Sequence, residues 1–425
     1  MLGGGTFTTQ NKIIPGAYMN FISSKIASGA VSDRGVAAIA LELNWGKDGE
    51  VFAVTEEDIV KSCRKLFGYS YTDAAMSDIR DIFMNATKVY FYKLTSGGEK
   101  ASCDYADAKY CGTRGNDIKI VIESSVDVDG GYDVKTFLSG SLVDSQTVKA
   151  ASELKENDYV TFKEFDMAVT AGTSLTGGTN GTVTGESHSD FLDKAESYSF
   201  NVLGCKSEDE TVKRLYVSYT KRMRNEVGAK FVTVLFDYAA DYEGVINVKN
   251  SSGIIPWVTG AQAGCAINKS LTNRIYDGEA SVAADYTQSQ LAAAIKAGEF
   301  VLHKVNDEIR VLEDINSFVT QTEEKNELFQ SNQTIRVIDQ IAVDIAGIFK
   351  TKYLGTIQNN ASGRMGLWLD IVKHHKSLEK LGAIEEFQDS DVKVSQGEKK
   401  GSVYVTDAVT VTNAMDKLYM VVTIN

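Results

Sequence analysis

From Val36 to Leu43 the chain is apolar at nearly every position, which predicts a buried strand. Thr55-Glu56-Glu57-Asp58 then has the form of a capping box. Ile59, Val60, Cys63 and Phe67 follow at helical spacing, and Gly68 stands where a helix C-cap is expected. A second helix is predicted over 73–85 and a strand over 88–94. Strand, helix and strand in this order predict an α/β layer domain. Near Ser96-Gly97-Gly98 the period changes from helical to two. Strands are expected at 118–122, 132–138 and 159–162, with Asp129-Gly130-Gly131 as the turn between the first two. The β region runs over 99–185 and closes in a Gly/Thr-rich run, 176–185.

The α/β rhythm then resumes. Helices are predicted at 188–198, 209–225 and 287–297, and strands at 199–203, 230–236, 300–305 and 308–312. From about 330 a third region begins. Ile338, Ile341, Ala342, Ile345 and Phe349 mark one helix face; Leu367, Ile371, His374, Leu378 and Leu381 mark another. Strands at 392–394 and 402–411 follow, so helices precede strands as in a small α+β domain. Both ends read as strands in need of a partner. In 418–424 Leu418, Met420, Val422 and Ile424 share one face, and Tyr419, Val421 and Thr423 the other. A strand apolar on both faces belongs inside a sheet, so these ends are expected either to pair within their own chain or to be donated between subunits.

At 425 residues the chain exceeds a single typical core, and two to four domains are expected. The formal net charge of −13 argues against a nucleic-acid partner, which calls for a basic surface. No apolar run approaches the ~20 residues of a membrane span, so no membrane insertion is expected. No signal-peptide pattern opens the chain, and synthesis in the cytoplasm is expected. Cys63, Cys103, Cys111, Cys205 and Cys265 are odd in number and form no CxxC pair, which predicts reduced thiols and no structural zinc.

Candidate chemistry is sparse. Neither Gly177-Gly178-Thr179-Asn180-Gly181 nor 96–102 has the GxxxxGK[ST] spacing of a phosphate loop, and Trp45-Gly46-Lys47-Asp48 lacks its hydroxyl. Gly172-Thr173-Ser174 superficially matches a nucleophile motif but lies in a turn-rich β segment without a histidine motif to serve it. His188 falls in a polar stretch near a helix start and His303 in a strand; His374 is expected in a core and His375 on the surface. No HExxH or similar zinc spacing occurs. Acidic clusters such as Glu56-Glu57-Asp58 and the basic Lys221-Arg222-Met223-Arg224 are expected as solvated helix ends that complement the dipole. Neither catalytic residues, nor a metal, nor a cofactor is expected. The alternative reading of the same residues is an α/β hydrolase-like enzyme with a β insertion.

Several segments in order carry a family resemblance. They are Ile14-Pro15-Gly16-Ala17-Tyr18, then Gly112-Thr113-Arg114-Gly115-Asn116, then Gly177-Gly178-Thr179-Asn180-Gly181, then Gly260-Ala261-Gln262-Ala263-Gly264. On these the chain resembles contractile tail sheath proteins of phages and phage-tail-like bacteriocins. Cys111 departs from the pattern, where relatives often have proline. The resemblance implies a subtilisin-like, non-catalytic α/β domain interrupted by a β-sandwich insertion, a small α+β C-terminal domain facing an inner tube, and extended arms. The corresponding boundaries are 1–22 (arm), 23–98 and 186–330 (α/β domain), 99–185 (insertion), 331–416 (tube-facing domain) and 417–425 (arm). Strand exchange between subunits is expected at Ile13, Ile14, Tyr18, Leu418, Met420, Val422 and Ile424. Pro15, Gly16, Gly112, Gly115, Asn116, Gly177, Gly178 and Gly181 are expected as structural motif positions. Lys350 and Lys352, on the polar face of the 335–353 helix, are the expected tube contacts. The implied partners are further copies of the chain in stacked rings, an inner tail tube protein, and baseplate and tail-terminator proteins.

Overall fold

The computed structural model describes residues 34–424 together with Gly3–Gly5 and Gly16–Tyr18. Those two short segments pair in parallel, with Gly3 opposite Gly16 and Gly5 opposite Tyr18. Ile13, Ile14 and Pro15 lie outside the described residues. The fold is mixed α/β with several separate sheets, and it divides into two compact units.

One unit comprises Ala38–Phe83 and Thr87–Glu196. In it the strands Val36–Leu41, Lys88–Lys93 and Val51–Thr55 lie side by side in that order. Helix α1 (Glu56–Phe67) starts at the expected capping box: Thr55 accepts from the Asp58 amide, and the Asp58 carboxylate accepts from the Thr55 amide. It ends at Gly68, whose φ of 79° is the left-handed value of a C-cap. The second predicted helix is shorter than expected. A 3₁₀ turn at Ala74–Met76, capped by Asp73, precedes α2 (Ser77–Phe83). Helix α3 spans Gly185–Ala195.

The β region of this unit holds two antiparallel sheets. One is ordered Ser141–Val148, Tyr132–Leu138, Ile118–Ser124, Thr170–Ser174; the other is ordered Val160–Phe162, Ala106–Cys111, Lys100–Ser102. Alternate side chains from both, including Ile118, Ile120, Ile122, Val134, Leu138, Ala108 and Val160, meet in one core. Each large apolar side chain buried there contributes about 1.5–3 kcal/mol. Strands Ser141–Val148 and Thr170–Ser174 escape the sequence pattern because only Val148 among their positions is buried and they carry few apolar residues.

The other unit includes Met84–Ala86 and everything from Ser197 onward. Its sheet is parallel, ordered Glu299–Phe300, Val245–Val248, Val232–Phe236, Val202–Cys205. Val202–Cys205 and Val245–Val248 are buried at every position, as parallel strands covered on both faces are. Helix α4 (Glu210–Arg222) links two of these strands and runs into a π-helical turn, Met223–Val227. Helix α5 (Ile255–Gly264) begins with Pro256 in its first turn and is buried from Ile255 to Ala263. Helix α6 is Gln288–Lys296. The single strand expected over 300–305 is two strands in different sheets. The Asn250 side chain bonds both the amide and the carbonyl of Leu302, at 2.7 and 2.8 Å, taking the groups a parallel neighbour would use. Leu302–Val305 turns instead to pair with Glu308–Val311.

Helix α7 (Asn332–Ile348) continues into a second π-helical turn, Phe349–Tyr353, and α8 spans Ala361–Lys380. A hairpin, Lys393–Gln396 with Val403–Thr406, and a two-stranded pair, Ile384–Glu385 with Thr410–Val411, pack with them around Val337, Leu367, Ile371, Leu378 and Ile384. The expected strand at 418–424 is not formed: residues 412–424 belong to no sheet of this chain.

Candidate assembly site

The predicted motif residues of the insertion converge on the neck through which the chain enters and leaves it. Segments 95–102 and 176–181 run alongside each other, joined by Ser102 N to Thr176 O (2.8 Å), Thr176 N to Ser102 O (2.9 Å) and Gly181 N to Thr95 O (2.8 Å). The approach at Gly181 is so close that a Cβ there would lie 1.9 Å from the Ser96 carbonyl oxygen. Asn116 closes the neck from the side. Its Nδ2 donates to the Gly178 carbonyl at 2.9 Å, and its Oδ1 accepts from the Gly178 amide at 2.8 Å. One side-chain amide thus substitutes for a strand partner. Gly115 sits in the 3₁₀ turn beside it, and Gly177 precedes Gly178 in the returning segment. Gly112, at φ 129°, passes so near Asn44 that a Cβ would meet its carbonyl oxygen at 2.1 Å. The Asn180 side chain accepts from the Thr113 amide (3.0 Å) and donates to Asn44 Oδ1 (2.8 Å).

Cys111, the departure from the family pattern, is part of the same neck. Its amide donates to Asp48 Oδ2 at 3.1 Å and its thiol to Asp48 Oδ1 at 2.8 Å. Burial, and then the bond to Asp48, push its thiol pKa up, so it stays protonated and donates. The fully buried Lys93 ammonium pairs with the same carboxylate at 2.8 Å. A proline at 111 could make neither of the Cys111 bonds, since it has no N–H and no thiol. Cys111 and Lys93, both buried, therefore hold one half-buried carboxylate from two sides.

Lys350 and Lys352 are the two expected tube contacts at the C-terminal end. Both lie in the π-helical turn after α7. Lys352 is committed to Asp370 of α8 at 3.1 Å, and Tyr353 donates to the same carboxylate at 2.6 Å. Burial and then that bond raise the Tyr353 pKa. Lys350 is half-buried on the same turn. The stripe of Ile338, Ile341, Ala342 and Ile345 is only half-buried, whereas the opposite face of α7 is buried and polar. On that face Arg336 pairs with Asp314 at 2.6 Å, and Gln262 and Asn332 donate to the same carboxylate at 2.7 and 2.9 Å. Asp339 receives two bonds from Arg224, at 2.6 and 2.8 Å. The expectation of Arg224 as a solvated helix-end cation is therefore corrected: it is buried, and the carboxylate rather than the dipole holds it. His375, expected on the surface, is also buried, because Asp407 receives its ring N–H at 2.7 Å. His188, placed in a polar stretch, is buried as well. Periodicity does not flag these side chains, since a charged residue is read as exposed until its partner is known.

The root of the C-terminal segment is tied to α7. Gln333 donates to the Thr412 carbonyl (3.1 Å) and accepts from the Ala414 amide (3.0 Å). Beyond it the chain is bare. Leu418, Tyr419, Met420, Val421, Val422 and Ile424 are 68 to 95% exposed. Such a contiguous apolar run is unusual on a protein that acts alone.

Four family models match successive segments of the chain. Residues 34–94 match the tail sheath protein Gp18 domain III N-terminal region, 96–180 the phage tail sheath protein beta-sandwich domain, 181–317 the phage tail sheath protein central domain, and 324–425 the phage tail sheath C-terminal domain. The phage-like element PBSX protein XkdK of Bacillus subtilis is 32% identical over all of both chains. The solved sheath tail protein of Desulfitobacterium hafniense superposes with a TM-score of 0.83 at 33% identity, over 95% of this chain and 99% of its own. The anti-feeding prophage helical sheath in its contracted state shares the fold at 13% identity, with a TM-score of 0.56 over 97% of this chain and 98% of its own. These are structural proteins and not enzymes. The chain belongs to the phage tail sheath protein family.

Proposed function

We propose that the chain polymerises helically around an inner tail tube and shortens to drive that tube through a target envelope, as a subunit of a phage tail or phage-tail-like particle. The observation that carries this reading is the bare apolar segment 415–424, anchored at its root and without a sheet of its own. A neighbouring copy supplies the missing strand, with Leu418, Met420, Val422 and Ile424 on one face. The 1–22 arm, with Ile13, Ile14 and Tyr18, takes part in the same exchange. Backbone hydrogen bonds shared between subunits let rings rotate and slide without coming apart. The energy of shortening comes from interface gained in the contracted state, so no nucleotide is required.

In this reading 23–98 with 186–330 is a subtilisin-like α/β domain without catalysis, and 99–185 is a β-sandwich insertion on the neck built by Gly112, Asn116, Gly178 and Gly181. The 331–416 domain faces the tube, and baseplate and tail-terminator proteins bound the polymer. The test is removal of 417–425, or of 1–22, followed by negative-stain microscopy with the tube protein. Folded subunits without tubular polymer are expected. Polymers like those of the intact chain from either truncation would overturn strand exchange.

A further inference from the structure

One part of the C-terminal region is cationic in a chain that is acidic overall. From Phe349 to Leu369 the sequence has no Asp or Glu, yet it carries Lys350, Lys352 and Arg364. The hairpin tip, 397–401, adds Lys399 and Lys400 against one acid, Glu398. The whole chain has a formal net charge of −13. A groove of about 460 Å³ lies where the π-helical turn after α7, the loop that follows it, the first turns of α8 and the hairpin tip meet. Its floor is apolar, from Phe349, Leu367 and Val403. Leu354 and Ile357 also line it and are 50 and 48% exposed. Arg364 and Lys400 supply its charge, and no Asp or Glu among the described residues lines it.

Both cations lack a counter-charge. The Arg364 guanidinium donates to neutral acceptors through one nitrogen, Nη1: the Asn359 carbonyl at 3.3 Å, Asn359 Oδ1 at 3.0 Å and Gln396 Oε1 at 2.9 Å. Its Nε and Nη2 make no hydrogen bond among the described residues, so the edge that takes a carboxylate with two parallel bonds is open. The Lys400 ammonium has no carboxylate partner among the described residues. The walls are tied to each other in the free subunit. Asn359 Nδ2 donates to the Lys400 and Ser402 carbonyls at 2.8 and 2.7 Å, and Gln396 Nε2 to the Lys399 carbonyl at 2.9 Å. A groove already held in shape loses little order on binding.

The two halves of this lining ask for different things. A phosphate backbone would satisfy the cations but leave Leu354 and Ile357 in water. An aliphatic side chain alone would cover those two and strip water from the cations without replacing it. A protein segment with a large apolar side chain beside an Asp or Glu meets both demands. We propose that the groove receives such a segment of the inner tube protein, its carboxylate at Arg364 and Lys400 and its apolar side chain against Leu354 and Ile357. This rests on the reading that 331–416 faces the tube, and it places the centre of that contact in the groove, which neither Lys350 nor Lys352 lines.

The test is co-sedimentation of the full-length chain with the tube protein at low and high salt, beside negative-stain microscopy of self-assembly. Ile357→Ser is expected to weaken co-sedimentation at least about fivefold at both salt concentrations. Lys400→Glu is expected to weaken it as much at low salt and less at high salt. Met365→Ser removes an apolar side chain that is 60% exposed on α8 but does not line the groove, and it is expected to change nothing. All three side chains are exposed, so these substitutions leave the fold intact. Wild-type binding with undiminished binding by both groove variants would overturn the groove and leave the tube-facing reading standing. No binding by the wild type would remove that reading and this assignment together. An equal loss in Met365→Ser would reduce the effect to general stickiness and overturn the groove. Loss of self-assembly in either groove variant would assign the groove to a second copy of the chain and overturn the tube as its occupant.

Discussion

Gly112 shows how much a single position without a side chain carries. Its φ of 129° lies where L side chains rarely go, and the Asn44 carbonyl occupies the space a methyl group needs. Gly112→Ala is expected to destabilise the protein by more than about 3 kcal/mol, since backbone strain and overlap add. Gly130, in the turn at the far end of the insertion, has φ 69°, but no atom lies within 4 Å of the place a methyl group would take. Gly130→Ala is expected to cost only about 1 kcal/mol. Urea denaturation of both variants checks the contrast, and equal losses would mean the close approach at Gly112 is relieved at no cost. The sequence marks Gly112 as special through its motif, but its reason is a contact with a residue 68 positions earlier, Asn44.

At the scale of elements, α7 is held by ion pairs on its buried polar face. Asp339→Ala strands the Arg224 guanidinium and is expected to cost roughly 3–5 kcal/mol. The double variant Arg224→Met with Asp339→Leu leaves no charge to strand and is expected to recover most of that loss, as a denaturant double-mutant cycle would read. Asp314 gives a pH signature. Burial alone would raise its pKa, but the Arg336 charge and the hydrogen bonds outweigh it and hold the carboxyl below the usual range. A depressed folded pKa contributes stability above the unfolded value of about 3.9, and that contribution is lost as pH falls further, through the folded value. Melting temperatures of the wild type are therefore expected to drop steeply below about pH 4, and Asp314→Asn to lack that part of the slope from a lower starting stability.

For the molecule as a whole, charge and bare apolar surface decide how it meets partners. A subunit of formal net charge −13 repels its copies at long range, and in the proposed strand exchange the exposed C-terminal run acts only at contact. Reversal of Lys352, which pairs with Asp370, would set two carboxylates against each other inside the subunit. Lys350→Glu is expected to weaken co-sedimentation with the tube protein several-fold at low salt while leaving self-assembly intact. Unchanged co-sedimentation would remove Lys350 from the tube-facing surface.

What the sequence by itself determined is local and periodic. The capping box at Thr55–Asp58, the C-cap at Gly68, the alternating strands at Ile118–Ser124 and Tyr132–Leu138, and the apolar C-terminal run are each written within a few residues of themselves. The order of the glycine motifs carries the family in the same way, and Gly112, Gly178 and Gly181 each answer to a tight backbone approach. What only the tertiary structure decided depends on partners distant in sequence. Lys352 is turned inward by Asp370, Arg224 is buried by Asp339, His375 is buried by Asp407, and the strand expected at 300–305 is split by Asn250. A charged or polar side chain is placed by the group that pays for its desolvation, and no pattern along the chain says where in space that group will be.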